Sequence, residues 1–194
     1  MPSADELPIE SFESPRAFAT WMGKHHAHSH GIRIKFAKKG SGIPSVTYAE
    51  AVELALCYGW IDGQAKRIDD DFYLQRFTPR RPKSMWSKIN CTKAEALIAS
   101  GRMKPAGLRE VERAKADGRW DAAYASPRNA QVPDDLAAAL AKNAKARRFF
   151  EALDGTNRYA ILHRVLTAKK PETRARRIAQ FVDMLAKGET IHPR

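Results

Sequence analysis

The chain has 194 residues, enough for one large domain or two small ones, and its 43% hydrophobic and 29% charged content excludes wholesale disorder. Its net charge of +12 favours anionic partners such as nucleic acid, anionic headgroups or phosphorylated metabolites. Two cysteines, Cys57 and Cys91, are too few for a disulfide framework.

The opening MPSADELPIE contains no apolar core of a signal peptide and reads as a short extended lead-in over residues 1–10. No apolar run approaches the roughly 20 residues a transmembrane helix needs. A reducing cytoplasm is therefore the expected compartment. Ser14-Pro15 marks a helix start, with Ser as cap and Pro in the first turn, and Phe18, Trp21 and Met22 share its inward face. Ile32, Ile34 and Phe36 then alternate with Arg33 and Lys35, the period of a half-buried strand. Thr47 and Glu50 form a capping box before an apolar helix that Gly59 stops.

Asp62-Gly63 is expected to form a tight turn just after that helix. Antiparallel strands follow at Gln64–Asp69 and Phe72–Phe77, joined across Asp69-Asp70-Asp71, with Ile68, Phe72 and Leu74 inward. The prolines of TPRRPKS exclude regular structure there. Ser84 is expected to open a short helix, Thr92 and Glu95 a further capped one, and Pro105–Asp117 another. SPRNAQVP is the linker candidate. Beyond it, Asp134–Leu153 (with a break near Asn143), Thr156–Ala168 and Pro171–Lys187 carry matching apolar faces of a small bundle. The fold class is α+β: a small antiparallel sheet packed with helices over residues 1–130, then a helical module over 131–194.

The runs YAEAVELALCYGWIDG, RFTPRRPKSMWSKIN, GRMKPAGL and DGRWDAAY resemble the YdeI/OmpD-associated, or bacteriocin-protection, family. So does the C-terminal stretch from VPDDLAAAL to RYAILHRVLTAKKPETRARRIAQFVDMLAKGE, and together these runs reach from Trp21 to Gly188. The resemblance implies a bacterial, cytoplasmic protein tied to porin regulation and to resistance against bacteriocins or cationic peptides. It implies no catalytic mechanism.

The candidate site is built on arginines. Arg76 closes an apolar strand, and Arg80 and Arg81 sit between Pro79 and Pro82, which lower the entropy cost of holding them. Guanidinium forks grip phosphate or carboxylate, while Trp86 offers a stacking ring and Asn90 and Asp62 orient the ligand. Trp60, with an indole N–H that needs a partner if buried, completes the set. An anionic small molecule and a strand of nucleic acid are both compatible partners, and no cofactor is expected.

Other chemistry is thin. His25 with His28, and His26 with His30, form two same-face pairs, but no Cys, Asp or Glu close by completes a metal set. There is no G-x-S-x-G elbow and no Walker loop, so no catalytic residue is expected. Cys91, placed just ahead of the helix expected at Thr92, is a weak redox candidate whose thiolate the helix end would stabilise. Arg174, Arg176 and Arg177 cannot all face a core and should form a basic ridge.

Overall fold

Ile32, Ile34 and Phe36 alternate with cations along one strand, and the computed structural model builds its sheet around that strand. It describes residues 6–127 and 129–193, so the first half of the lead-in and Arg128 of the linker candidate lie outside the described residues. The strands are β1 (Ile9–Glu10), β2 (Ile32–Ala37), β3 (Trp60–Arg67) and β4 (Phe72–Pro79), in the order β1-β2-β4-β3. The β2-β4-β3 portion is antiparallel, and the two-residue β1 joins its edge in parallel. With eight helices among the described residues, the fold is α+β.

The helices α1 (Pro15–His25), α2 (Tyr48–Cys57), α3 (Lys88–Ala99) and α4 (Pro105–Ala116) belong to the first half. Ser14 caps α1 by accepting from the Ala17 N–H, and the Thr47–Glu50 capping box opens α2 as expected. Phe18, Met22, Ala55 and Leu56 from the helices meet Ile32, Ile34, Phe36 and Phe77 in one buried cluster. Gly59 ends α2 at φ +74°, the left-handed conformation anticipated for it.

Two units divide the chain: Met1–Trp86 with Asn90–Ala123, and Ser87–Ile89 with Tyr124–Arg194. The second holds α5 (Asp134–Ala141), α6 (Ala144–Glu151), α7 (Gly155–Leu166) and α8 (Pro171–Ala186) around Leu136, Phe150, Leu162, Val165 and Leu185. The break near Asn143 is real, and the Asn143 side chain caps α6 by accepting from the Ala146 N–H at 3.0 Å. Arg174 of α8 places two nitrogens on Asp135 of α5, 2.5 and 2.9 Å away, and a third on the Val165 carbonyl oxygen. No described helix is long and apolar enough to cross a membrane.

Several local expectations are corrected, among them the exclusion of TPRRPKS from regular structure, since β4 runs on through Thr78 and Pro79. Asp62-Gly63 is no tight turn: both residues lie inside β3, which runs from Trp60 and bulges between Asp62 and Ala65. Glycine at position 63 leaves room for the Arg76 guanidinium, because a Cβ there would lie 2.6 Å from Arg76 Nε and displace that side chain. Ser84 opens no helix; it turns the chain by accepting from the Arg81 N–H, and α3 runs unbroken from Lys88 through Thr92. Ile68 is exposed rather than inward, and Phe72, half-buried, and Leu74, buried, face the opposite side of the sheet from the main cluster.

That opposite side follows from the register. Direct pairing of Arg33 with Arg76, and of Lys35 with Leu74 and Leu74 with Lys66, puts these side chains on one face, away from Ile32, Ile34 and Phe77. The alternating burial of β2, fully buried then partly buried, has the same cause.

Candidate functional site

Arg80 follows directly on β4, and its backbone N–H donates to the Gly59 carbonyl oxygen at 3.0 Å, so the basic loop leaves the sheet beside the end of α2. The side chain turns inward and is only 5% exposed. Its Nη1 donates to the Met85 carbonyl oxygen at 3.1 Å, and its guanidinium lies over the Trp86 ring, 3.6 Å from the centroid. Trp86 packs in turn against Trp120, with ring centroids 4.9 Å apart. Arg119, which is also buried, pairs with Asp117 and donates from Nη1 to the Ser84 carbonyl oxygen at 2.7 Å. The loop is therefore held from below by two buried arginines and two indoles.

Beside this loop is a cleft of about 240 Å³, lined by His26, Tyr58, Trp60, Arg80, Arg109 and Glu110 among others. Trp60 is 1% exposed, and its indole N–H donates to the His26 carbonyl oxygen at 3.3 Å, which supplies the partner its burial demands. His26 Nδ1 lies 2.9 Å from the Met22 carbonyl oxygen and is thereby the protonated nitrogen. Its ring packs on Tyr58 at 4.7 Å, and burial pushes the Tyr58 hydroxyl above its ordinary pKa. Arg109 stands exposed on the rim, and Glu110 is occupied by an ion pair with Arg113. The lining thus offers a small anion the exposed Arg109 guanidinium and the neutral Tyr58 hydroxyl, with the buried Arg80 guanidinium acting through its charge and the one carboxylate already engaged.

The residues expected to form one site divide among several places. Arg80 and Trp60 share the cleft. Trp86 is the clear correction: at 1% exposure it is no stacking platform for a ligand but the floor beneath Arg80. Arg81 points to solvent, and Asn90 is half-buried on the first turn of α3. Asp62 accepts from the Tyr48 hydroxyl at 2.8 Å, and Arg76 lies across Gly63 on the far sheet face. A single lip of three arginines around an exposed indole does not exist.

Cys91 is likewise corrected. It lies inside α3 rather than ahead of a helix, and burial drives its thiol up to about 11, against an opposing pull from Arg80. It is no accessible thiolate. The histidines do not converge: His25 packs on Trp21 and His26 on Tyr58, and among the described residues no group of three or more potential ligands could hold a metal ion.

Sequence reasoning missed His26 as a cleft residue, and also Tyr58, Arg109 and Arg119. Their only sequence trace is position, since each sits one to three residues from a helix end or on an α4 face that meets the end of α2. A second concavity, about 830 Å³, lies between α5 and α8, walled by Ala138, Ala139, Ala175, Ile178, Ala179 and Val182. Alanines spaced along both helices were its visible sign.

Comparison with known proteins divides the chain similarly. Residues 10–110 match the model of a family described as Domain of unknown function (DUF8412). Residues 129–188 match that of a family described as Bacteriocin-protection, YdeI or OmpD-Associated, which is the C-terminal part of the resemblance drawn from sequence over Trp21 to Gly188. No curated protein and no solved structure matches the chain.

Proposed function

Because the chain belongs to the family of the domain of unknown function DUF8412 and carries a YdeI/OmpD-associated, bacteriocin-protection domain, we propose that it is a cytoplasmic, non-enzymatic binding protein of envelope stress that holds a small anion in the cleft beside Arg80. The observation that carries this reading is the seating of Arg80. A guanidinium fixed by the Met85 carbonyl and the Trp86 ring, with Nε and Nη2 shielded from solvent, acts on the cleft as a preset positive charge that needs no reordering when an anion arrives. Arg109, exposed at the rim, supplies a second cation.

The volume limits the ligand. About 240 Å³ is below the range of drug-sized sites, which suits inorganic phosphate or a short carboxylate and not a nucleotide. Nothing in the lining makes a nucleophile: the Tyr58 hydroxyl is held in its protonated form, and neither buried cysteine lines the cleft. Binding without turnover is the chemistry this supports.

The test is thermal unfolding in phosphate, sulfate, acetate and citrate at matched ionic strength. At a ligand concentration of 100 times Kd the stabilisation is about 2.7 kcal/mol. Arg109→Gln, a change at an exposed position, should abolish the increment without lowering the melting temperature of the unliganded protein. A melting temperature indifferent to every anion, or an increment that survives Arg109→Gln, removes the reading.

A further inference from the structure

The sheet face turned away from the main core is basic and shallow, and it is distinct from the Arg80 cleft. Its rows follow from the register: Arg33 directly opposite Arg76, and Lys35, Leu74 and Lys66 in line beside them. Like charges placed directly opposite on neighbouring strands oppose sheet formation, and the Arg33 side chain is drawn off to the lead-in, where its Nε donates to the Leu7 carbonyl oxygen at 3.0 Å. Arg76 adds a second anomaly. Its Nε is buried and makes no hydrogen bond, although the guanidinium has been given room over Gly63, where any side chain would collide with it. A buried guanidinium N–H without an acceptor is costly, and here it belongs to a side chain laid flat along an accessible surface.

Apolar groups interleave with these charges. Lys35 Nζ sits 3.8 Å above the Phe72 ring, and Leu74 fills the space between Lys35 and Lys66. No carboxylate lies on either row; the acidic Asp69–Asp71 turn closes one end of the face, with Lys35 and Lys38 acting on Asp69.

From this we infer that the outer face of β2, β4 and β3 binds single-stranded nucleic acid, the phosphates meeting Arg76, Lys35 and Lys66 and an unpaired base meeting the half-buried Phe72. Charge complementarity selects an anion. Side chains two residues apart on a strand lie about 7 Å apart, so the cations form a repeating array suited to a polymer of phosphates and not to one compact ion. Interleaved apolar groups favour unpaired bases, which offer faces for stacking, over a duplex, which presents only its backbone to so flat a surface.

The experiment is fluorescence anisotropy of a labelled oligothymidylate of about 15 nucleotides, titrated with the full-length protein across a salt series. Lys35→Gln/Lys66→Gln/Arg76→Gln should weaken binding about tenfold or more and flatten the log–log salt slope by roughly 2, near 0.7 per lost contact. A control of equal charge loss on exposed positions of α6, Lys145→Gln/Arg147→Gln/Arg148→Gln, should change affinity by less than about threefold. Gly63→Ala, which alters no charge but displaces the Arg76 guanidinium, should weaken binding several-fold while circular dichroism stays native. Equal losses in both triple variants, or an oligonucleotide that fails to bind the wild type, overturn the inference. So does sheet-dependent binding to phosphatidylglycerol vesicles with none to the oligonucleotide.

Discussion

The Arg80 guanidinium lies 3.6 Å from the centroid of the Trp86 ring, and the two side chains are 5% and 1% exposed. A cation this deep is tolerable because the ring face, the Met85 carbonyl and a fixed loop share its charge. Trp86 makes no hydrogen bond through its own buried Nε1, so its contribution is packing and the π-face alone. Trp86→Ala should therefore cost about 3–5 kcal/mol, and Trp86→Phe, which keeps a face and forfeits no hydrogen bond, only about 1–2. Urea unfolding of the two variants checks this; equal losses would mean that the ring face does not matter.

The meeting of α4 with the end of α2 depends on an absent side chain. A Cβ on Gly107 would sit 2.3 Å from the Cys57 carbonyl oxygen and 2.6 Å from that of Leu56, both backbone atoms that cannot swing aside. Gly107→Ala should destabilise by about 2–3 kcal/mol as overpacking. Gly155→Ala, at the start of α7 with nothing within 4 Å of the new methyl, should be neutral or stabilising by about 0.5 kcal/mol. Thermal melts of the pair separate contact strain from a general intolerance of glycine replacement.

His163 gives the second unit a dependence on pH. It packs edge-on against Tyr124 at 4.9 Å, and burial first, then Arg164 and Arg177, lower its pKa below 6.5. The unfolded chain then binds the proton more readily than the folded one. Stability is fully present above pH 6.5 and is lost as pH falls through the depressed folded pKa. His163→Gln should flatten the change in melting temperature between pH 6.5 and the onset of carboxylate titration near pH 4.5, against the wild type. A wild-type curve already flat there would contradict the burial of the imidazole.

Much of this fold was legible because its local signals are self-contained. The Thr47–Glu50 box, the Asn143 break and the alternation from Ile32 to Phe36 each state their structure within a few residues. The errors share a different origin. Thr92 and Glu95 satisfy the spacing of a capping box, yet α3 begins earlier, where Lys88 donates its N–H to the Tyr124 carbonyl far along the chain. Asp62-Gly63 has turn chemistry, but pairing with β4 overrides it, and the glycine answers to Arg76 instead. Trp86 and Arg80 were expected to line one open ligand site. Their burial was invisible because the Arg119 and Trp120 that cover them belong to a segment beyond two intervening helices.

The division into two units has a spectroscopic corollary. Trp21, Trp60, Trp86 and Trp120 all fall in the first unit, leaving the second with Tyr124 and Tyr159 as its aromatic hydroxyls and no indole at all. Emission excited at the red edge of the band thus watches the sheet-bearing half by itself, while helical ellipticity sums over both halves. One titration followed by the two signals resolves whether the halves melt together, with no label attached.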